Sequence, residues 1–415
     1  MDGFSVVTER DLDFKGHKKE GLNKIASYPA TMIPEMQEGI IKDLIKNDSG
    51  IRNLLDPFHG SGISLVDGLS LGLNVYGIDI NPLAHLMTKV KLTPLKHDHL
   101  KKYYREIKSK LESSDFVFPI HHFIKDEKWF RSDIQESLSK IRQAIVEIEN
   151  QDIRDFFWFS LLNVIRDFSN TRSDTFKLYQ KKDEMIEQIK NRVVEVFLNN
   201  ALTAIDFVPE KKSYESHLFL GNTRKVLNGF PKDFFDLVVT SPPYGDNGTT
   251  VPYGQYSMLP IMWIPKEDLG INQENQFLIE NYSSIDSNSL GGRQSKFKSL
   301  PENQTAIDFI NEISEPKKAK VISFIDDYLD SFDAVIDSVK ENKYMVLTLG
   351  NRRVDNHLMP LTAITKEFFV KKGMKLLSTQ KRRILNKRMP SKLSRVNNKA
   401  VESMNVEYVQ IYQKG

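Results

Sequence analysis

Residues Asp236 to Tyr244 read Asp-Leu-Val-Val-Thr-Ser-Pro-Pro-Tyr, a β-branched apolar run that stops at two prolines and a tyrosine. Leu237 to Thr240 fit a short strand buried on both faces. Pro242 and Pro243 cannot donate to a strand ladder and fix their own φ angles, so the strand ends in a stiff turn. That turn offers the hydroxyl of Ser241, carbonyls that no local N–H can claim, and the flat face of Tyr244. A stiff turn at the carboxyl end of a parallel strand is where open α/β sheets place their ligands. Taken alone, the same residues equally suit a proline-ended strand running into an ordinary loop.

A second constellation lies upstream. Leu54-Leu55 leads into Asp56-Pro57-Phe58-His59-Gly60-Ser61-Gly62, and an apolar-periodic run follows from Ile63. Strand, glycine turn and helix in that order let backbone approach a ligand beneath the positive end of a helix. The glycine spacing fits neither the dinucleotide fingerprint nor the Walker phosphate loop. No lysine stands ready for a γ-phosphate, which disfavours ATP. Asn74 to Asp79 reads as the next strand, with Asp79 at its end, about twenty residues past the glycine turn, the interval at which acidic side chains reach ribose hydroxyls. Capping of the helix after Pro82 is the simpler role for Asp79 by itself. Together the two features favour a cofactor containing a nucleoside.

The totals narrow the chemistry. The chain has 415 residues, 40% of them apolar, a formal net charge of +3 and no cysteine. Thiol nucleophiles, thiolate metal sites and disulfides are excluded. The start of the chain lacks a secretion signal and no apolar run approaches bilayer length, so a soluble intracellular protein is expected. With so weak a global charge, any polyanion contact must come from local clustering.

Such a cluster exists. From Lys371 to Lys399 there is no Asp or Glu, while Lys381, Arg382, Arg383, Lys387, Arg388 and Lys392 crowd one stretch between two expected strands. A charge run is usually a solvated face; one this long and unmixed favours contact with a phosphate backbone.

Five stretches must position these groups. Residues 1–97 carry the glycine turn and Asp79, with Pro34 opening an amphipathic helix. Residues 98–212 read as a helical insertion with helices at 98–113, 131–150, 152–168 and 183–206; its aromatic run Phe156-Phe157-Trp158-Phe159 reads as core. Residues 213–265 carry the proline turn. Residues 266–318 form a variable region with a mobile loop expected at Ser283–Gly292. Residues 319–415 supply a helix, a buried strand near Tyr344–Asn351, a further helix and two last strands around the basic stretch.

Asp56-Pro57-Phe58-x-Gly60-Ser61-Gly62 with Thr240-Ser241-Pro242-Pro243-Tyr244 resembles the exocyclic-amino DNA methyltransferases of restriction-modification type, which use S-adenosylmethionine. The Ser-Pro-Pro-Tyr form resembles their N4-cytosine branch. Tyr28-Pro29-Ala30, Gly248-Thr249-Thr250-Val251-x-Tyr253-Gly254-Gln255 and Lys387-Arg388-Met389-Pro390 are similar to further stretches of these enzymes. The likeness covers roughly residues 25–95, 215–265 and 340–415. It implies a Rossmann-like, doubly wound α/β sheet, mostly parallel with an antiparallel final strand, plus the helical insertion.

The resemblance also implies roles. Tyr28, Pro29, Asp56, Pro57, Phe58, Gly60, Ser61 and Gly62 would surround the methionine part of S-adenosylmethionine, Asp79 would take the ribose hydroxyls, Asn222, where relatives often carry Asp, would approach the adenine, and Thr240 would also contact the cofactor. Ser241, Pro242, Pro243 and Tyr244 would act on a cytosine flipped out of double-stranded DNA. A site accepting both N–H bonds of the exocyclic amine would free its lone pair for attack, with no metal and no covalent enzyme intermediate. Methylation at cytosine C5 would need a cysteine, which this chain lacks. The expected setting is a prokaryotic cytoplasm, at the nucleoid, with a cognate restriction endonuclease acting separately. N6-adenine methylation, RNA or protein-amide methylation, and a non-catalytic cofactor-binding module stay open. So does the segment that reads the bases: 98–212, 245–318 or 381–399.

Overall fold

The computed structural model describes residues 12–14, 18–211, 214–246, 250–292, 300–384, 392–396, 399–402 and 405–415. Seven strands form one sheet: β1 Asn53–Asp56, β2 Asn74–Asp79, β3 Ser216–Leu220, β4 Phe235–Thr240, β5 Val339–Leu349, β6 Met374–Arg383 and β7 Val406–Lys414. In these labels the spatial order is β3-β2-β1-β4-β5-β7-β6. The first five run parallel, and β7 lies antiparallel between β5 and β6. This is the Rossmann-like architecture that the sequence leads one to expect. Chain order turns back between β1 and β4, which opens a crevice at their carboxyl ends.

Strand alternation supplies both faces of the sheet. Leu54, Val75, Leu237, Val239 and Val346 point into one core with Met36, Ile40, Ile41 and Leu44 of α1 (Pro34–Asn47). Leu55, Ile78, Val238, Met345 and Leu347 point into the other, against Phe324, Tyr328 and Phe332 of a long helix at Glu315–Ser338. Burial on both faces explains why β4 reads as an unbroken apolar run. All six of its residues are buried.

The third core belongs to the helical body. Its helices His97–Glu112, Ser132–Val146, Gln151–Phe168 and Val193–Ile205 bury Phe156, Phe157, Trp158 and Phe159 completely. The continuous helix expected at 183–206 is broken: Asp183–Glu187 is a short turn, and the longer helix starts at Val193. Two additions come from beyond the insertion. Helix Tyr253–Trp263 places Met258, Leu259 and Trp263 in this core, and Leu269, Ile271, Leu278 and Ile285 follow it there. The stretch read as a mobile loop thus contains a packed turn of helix at Ser284–Asn288, because Ile285 supplies an apolar anchor that a count of polar residues hides. Among the described residues no helix is long and apolar enough to cross a membrane.

Phe332 sits at the centre of the helix–sheet core, fully buried and ringed by Phe58, Tyr328 and Phe369. Phe332→Ala leaves a cavity beneath the turn at Phe58 and is expected to cost about 3–5 kcal/mol, read as a fall in thermal midpoint by calorimetry. An unchanged midpoint would contradict this packing.

Candidate active site

The crevice forms a cleft open to solvent, with about 940 Å³ of empty space when that solvent is counted. Its wall brings together Tyr28, Pro29, Pro57, Phe58, Gly60, Ser61, Asp79 and Asn222 with Ser241 and Pro243. Asp56, Gly62, Thr240, Pro242 and Tyr244 stand outside that wall.

Asp56 explains how the wall is held. Its buried carboxylate accepts from the Thr240 hydroxyl at 2.7 Å, the Phe58 amide at 3.1 Å and the Ser64 hydroxyl. It therefore clamps the ends of β1 and β4, from which the glycine turn and the proline turn depart. Burial pushes its pKa up to about 6 against the pull of those three donors. Gly62 has a different reason to be glycine: φ is +76°, and a Cβ would sit 2.5 Å from the Thr88 methyl. The Lys91 ammonium, pushed down to about 7 by burial, donates to the Ser61 carbonyl at 2.7 Å beneath the same turn.

Asp79 crosses between the strands in the same manner. One oxygen accepts the Gly60 amide and the other the Asn81 amide, both at 2.8 Å. Capping of the next helix falls instead to Asn81, whose side chain accepts from Leu83 at 3.0 Å. Burial pushes Asp79 up to about 6. Two oxygens carry about four acceptor positions, so the carboxylate retains capacity for a ligand's hydroxyls. Asn222 faces the cleft as the cap of a short helix at Thr223–Leu227, its side-chain oxygen taking the Lys225 amide at 3.3 Å. His59 lines the cleft with Nε2 buried and unpaired, and burial lowers its pKa to about 4, so the ring is neutral.

After the proline turn, Ser241 Oγ lies 3.1 Å from the Tyr244 hydroxyl, which donates to Glu407 on β7 at 3.1 Å. Asp246 is buried and paired with Lys320 at 2.7 Å and Arg352 at 3.2 Å, stapling the chain just beyond the turn to the rest of the sheet domain. The basic stretch divides. Lys381 and Arg383 are exposed on β6, whereas Arg382 is buried and paired with Glu407 at 2.8 Å. Arg382, read from sequence as a DNA contact, is turned inward because alternate residues of a strand face opposite ways. Lys387 and Arg388 lie outside the described residues, and Lys392 opens a short strand at Lys392–Val396.

Searched against protein-family models, the chain matches none. Among curated proteins, the type II methyltransferase M.MvaI from Kocuria varians is 32% identical over 405 residues, 91% of this chain and 87% of that protein. The chain belongs to the type II methyltransferase family. More distant relatives are M.MjaII from Methanocaldococcus jannaschii, 24% identical over 59% of this chain and 47% of its own length, and M.BsoBI from Geobacillus stearothermophilus, 23% identical over 56% and 51%. Among solved structures, the rRNA methyltransferase aviRa from Streptomyces viridochromogenes covers 95% of this chain and 88% of its own. At 11% identity and a TM-score of 0.31, that superposition is too loose to support any conclusion.

Several residues of this methyltransferase cleft escape sequence reasoning. Tyr253 stacks on Tyr28 at 5.6 Å, and Asn81 donates to the Tyr28 hydroxyl at 3.0 Å and to Ser257 at 2.8 Å. Asn288, Ser289 and Leu290 complete the wall from the turn read as a loop. Asp286, beside them, accepts the Gly254 amide at 2.8 Å and the Gln255 amide at 3.1 Å, capping the helix that carries Tyr253. Of these, Tyr253 lies in Tyr253-Gly254-Gln255, a stretch whose likeness to these enzymes carries no role by itself.

Asp286→Ala strips the first turn of that helix of both acceptors. The expected cost is about 1 kcal/mol of stability, seen in thermal melts, with weaker binding of cofactor. Unchanged cofactor affinity would show that Tyr253 is held by other means.

Proposed function

We propose that this methyltransferase transfers the methyl group of S-adenosylmethionine to the exocyclic N4 amine of a cytosine flipped out of double-stranded DNA. In that role it would protect specific sites in a restriction-modification system beside a separate endonuclease. The observation that carries the reading is that Ser241 and Pro243 share one cleft wall with Asp79 and Gly60. A nucleoside-binding carboxylate and an amine-binding turn thus meet in a single space.

The residues suit this cofactor. Asp79 has acceptor capacity for a ribose diol, Tyr28 and Tyr253 offer aromatic faces to a cation, and the Asn222 amide stands at the cleft wall for an adenine edge. When bound, S-adenosylmethionine supplies an electrophilic methyl group. The chain's part is positioning: Ser241 accepts an N–H of the target amine, and a carbonyl at the proline pair takes the other. Withdrawing both protons from the ring plane frees the nitrogen lone pair. The neutral His59 ring adds no charge of its own to the cleft. Exposed Lys381 and Arg383, with Lys387, Arg388 and Lys392, supply charge for the DNA backbone.

Three measurements test this. Incubation with labelled S-adenosylmethionine and DNA of mixed sequence, followed by digestion to nucleosides, is expected to place label in N4-methylcytosine. Label in N6-methyladenine alone would move the target to adenine, and label in RNA or protein alone would overturn the DNA substrate. Ser241→Ala is expected to lower kcat about 10²–10³-fold with cofactor affinity retained. Since Asp79 is pushed up to about 6, it takes up a proton as pH falls through that value. Affinity for S-adenosylmethionine by calorimetry is therefore expected to be level above pH 7 and to drop below pH 6, approaching about tenfold per unit. Asp79→Asn should remove that slope; a wild type without it would show that the carboxylate is not the ribose partner.

A further inference from the structure

Four side chains form a line from the cleft wall into the sheet: Ser241, Tyr244, Glu407 and Arg382. Their contacts are 3.1 Å from Ser241 Oγ to Tyr244 Oη, 3.1 Å from Tyr244 Oη to Glu407, and 2.8 Å from Glu407 to Arg382. Arg382 and Glu407 side chains are only 8% and 16% exposed, so the pair is withdrawn from bulk water. Chemically the line has one polarity. A carboxylate only accepts, and a phenol has one proton to give. Tyr244 gives its proton to Glu407, so its oxygen accepts from Ser241. The Ser241 proton then points away from the cleft and its lone pairs face the space into which the side chain opens.

We propose that Glu407, fixed by Arg382, is a positioning residue that sets this polarity and takes the proton released by the methylated amine. The inference rests on the functional reading above. Without Glu407, either hydroxyl of the Ser241–Tyr244 pair could donate to the other, and Ser241 would present a proton to an N–H group as readily as a lone pair. With it, Ser241 is an obligate acceptor toward the cleft. Once the amine nitrogen carries the methyl group, it is a cation with one N–H too many. That N–H bond breaks as a bond to Ser241 Oγ forms; the Ser241 proton passes to Tyr244 Oη, and the Tyr244 proton to Glu407. The carboxylate ends as a neutral acid and the amine as a neutral product. An amine whose lone pair is delocalised is a feeble base, so its cation surrenders a proton readily even to a carboxylate. Arg382, 2.8 Å away, holds the Glu407 carboxylate in place beside Tyr244 until that moment.

The test uses the full chain and the polynucleotide that the wild type labels. Tyr244→Phe keeps the ring and removes the relay; Glu407→Ala removes the acceptor. Both are expected to lower kcat about 10²-fold or more, with KM for DNA and for S-adenosylmethionine within about twofold of the wild type. Formate, a carboxylate small enough for the space beside Arg382, is expected to restore part of the rate to Glu407→Ala and none to Tyr244→Phe. A wild-type kcat in Tyr244→Phe overturns the proposal even if Glu407→Ala does not fold. A folded Glu407→Ala whose loss formate does not touch overturns it too. Either result leaves the functional reading intact, whereas a wild type that labels no polynucleotide ends that reading and the relay together.

Discussion

A buried carboxylate at the point where strand order turns back is the constraint on which the site depends. Asp56 ends β1, yet it accepts from Thr240 at the end of β4 and from Phe58 and Ser64 on its own side. Strands β1 and β4 pair through few residues, so their ends would fray without a shared anchor. The carboxylate supplies one at the cost of desolvation, which shows in its raised pKa. What it secures is the relative placement of the glycine turn and the proline turn. Neither turn needs to be rigid throughout if their roots are clamped.

The same device recurs around the cleft. Asp79 joins the glycine turn to the start of the next helix, Asp286 joins the Ser284–Asn288 turn to the helix bearing Tyr253, and Asp246 joins the chain after the proline turn to Arg352 and Lys320. Each acidic group satisfies backbone amides or a cation that would otherwise stand unpaired. Gly245 shows how tight one of these joints is: a Cβ there would lie 2.3 Å from the Arg352 side chain. The helical body takes part through Tyr253, which stacks on Tyr28, so the cleft has one wall from the sheet and another from the helices.

Much of this was legible in the sequence, and the reasons differ by region. Strands β1, β2 and β4 are short apolar runs ended by Asp56, Asp79 and a proline pair in turn, and local chemistry alone marks such ends. The aromatic helix Gln151–Phe168 was legible as core from composition. The wall residues Asn288 to Leu290 were hidden because a single buried residue, Ile285, organises a stretch that is otherwise polar. Glu407 and Arg382 were hidden for another reason: their partnership with Tyr244 joins β4, β6 and β7, and no local pattern encodes a pairing across that much chain. Asp56 stands out by its motif, but its function as a clamp depends on Thr240, far along the chain.

The proposed function requires one cleft to hold both the methyl donor and the target base, with Ser241 between them and the sheet. A crystal structure with S-adenosylhomocysteine and a duplex containing the target site tests it most directly. The ribose hydroxyls are expected on Asp79, with a flipped cytosine whose exocyclic nitrogen lies within hydrogen-bond reach of Ser241 Oγ. A target base still stacked in the duplex, or seated away from Ser241 and Pro243, would contradict it.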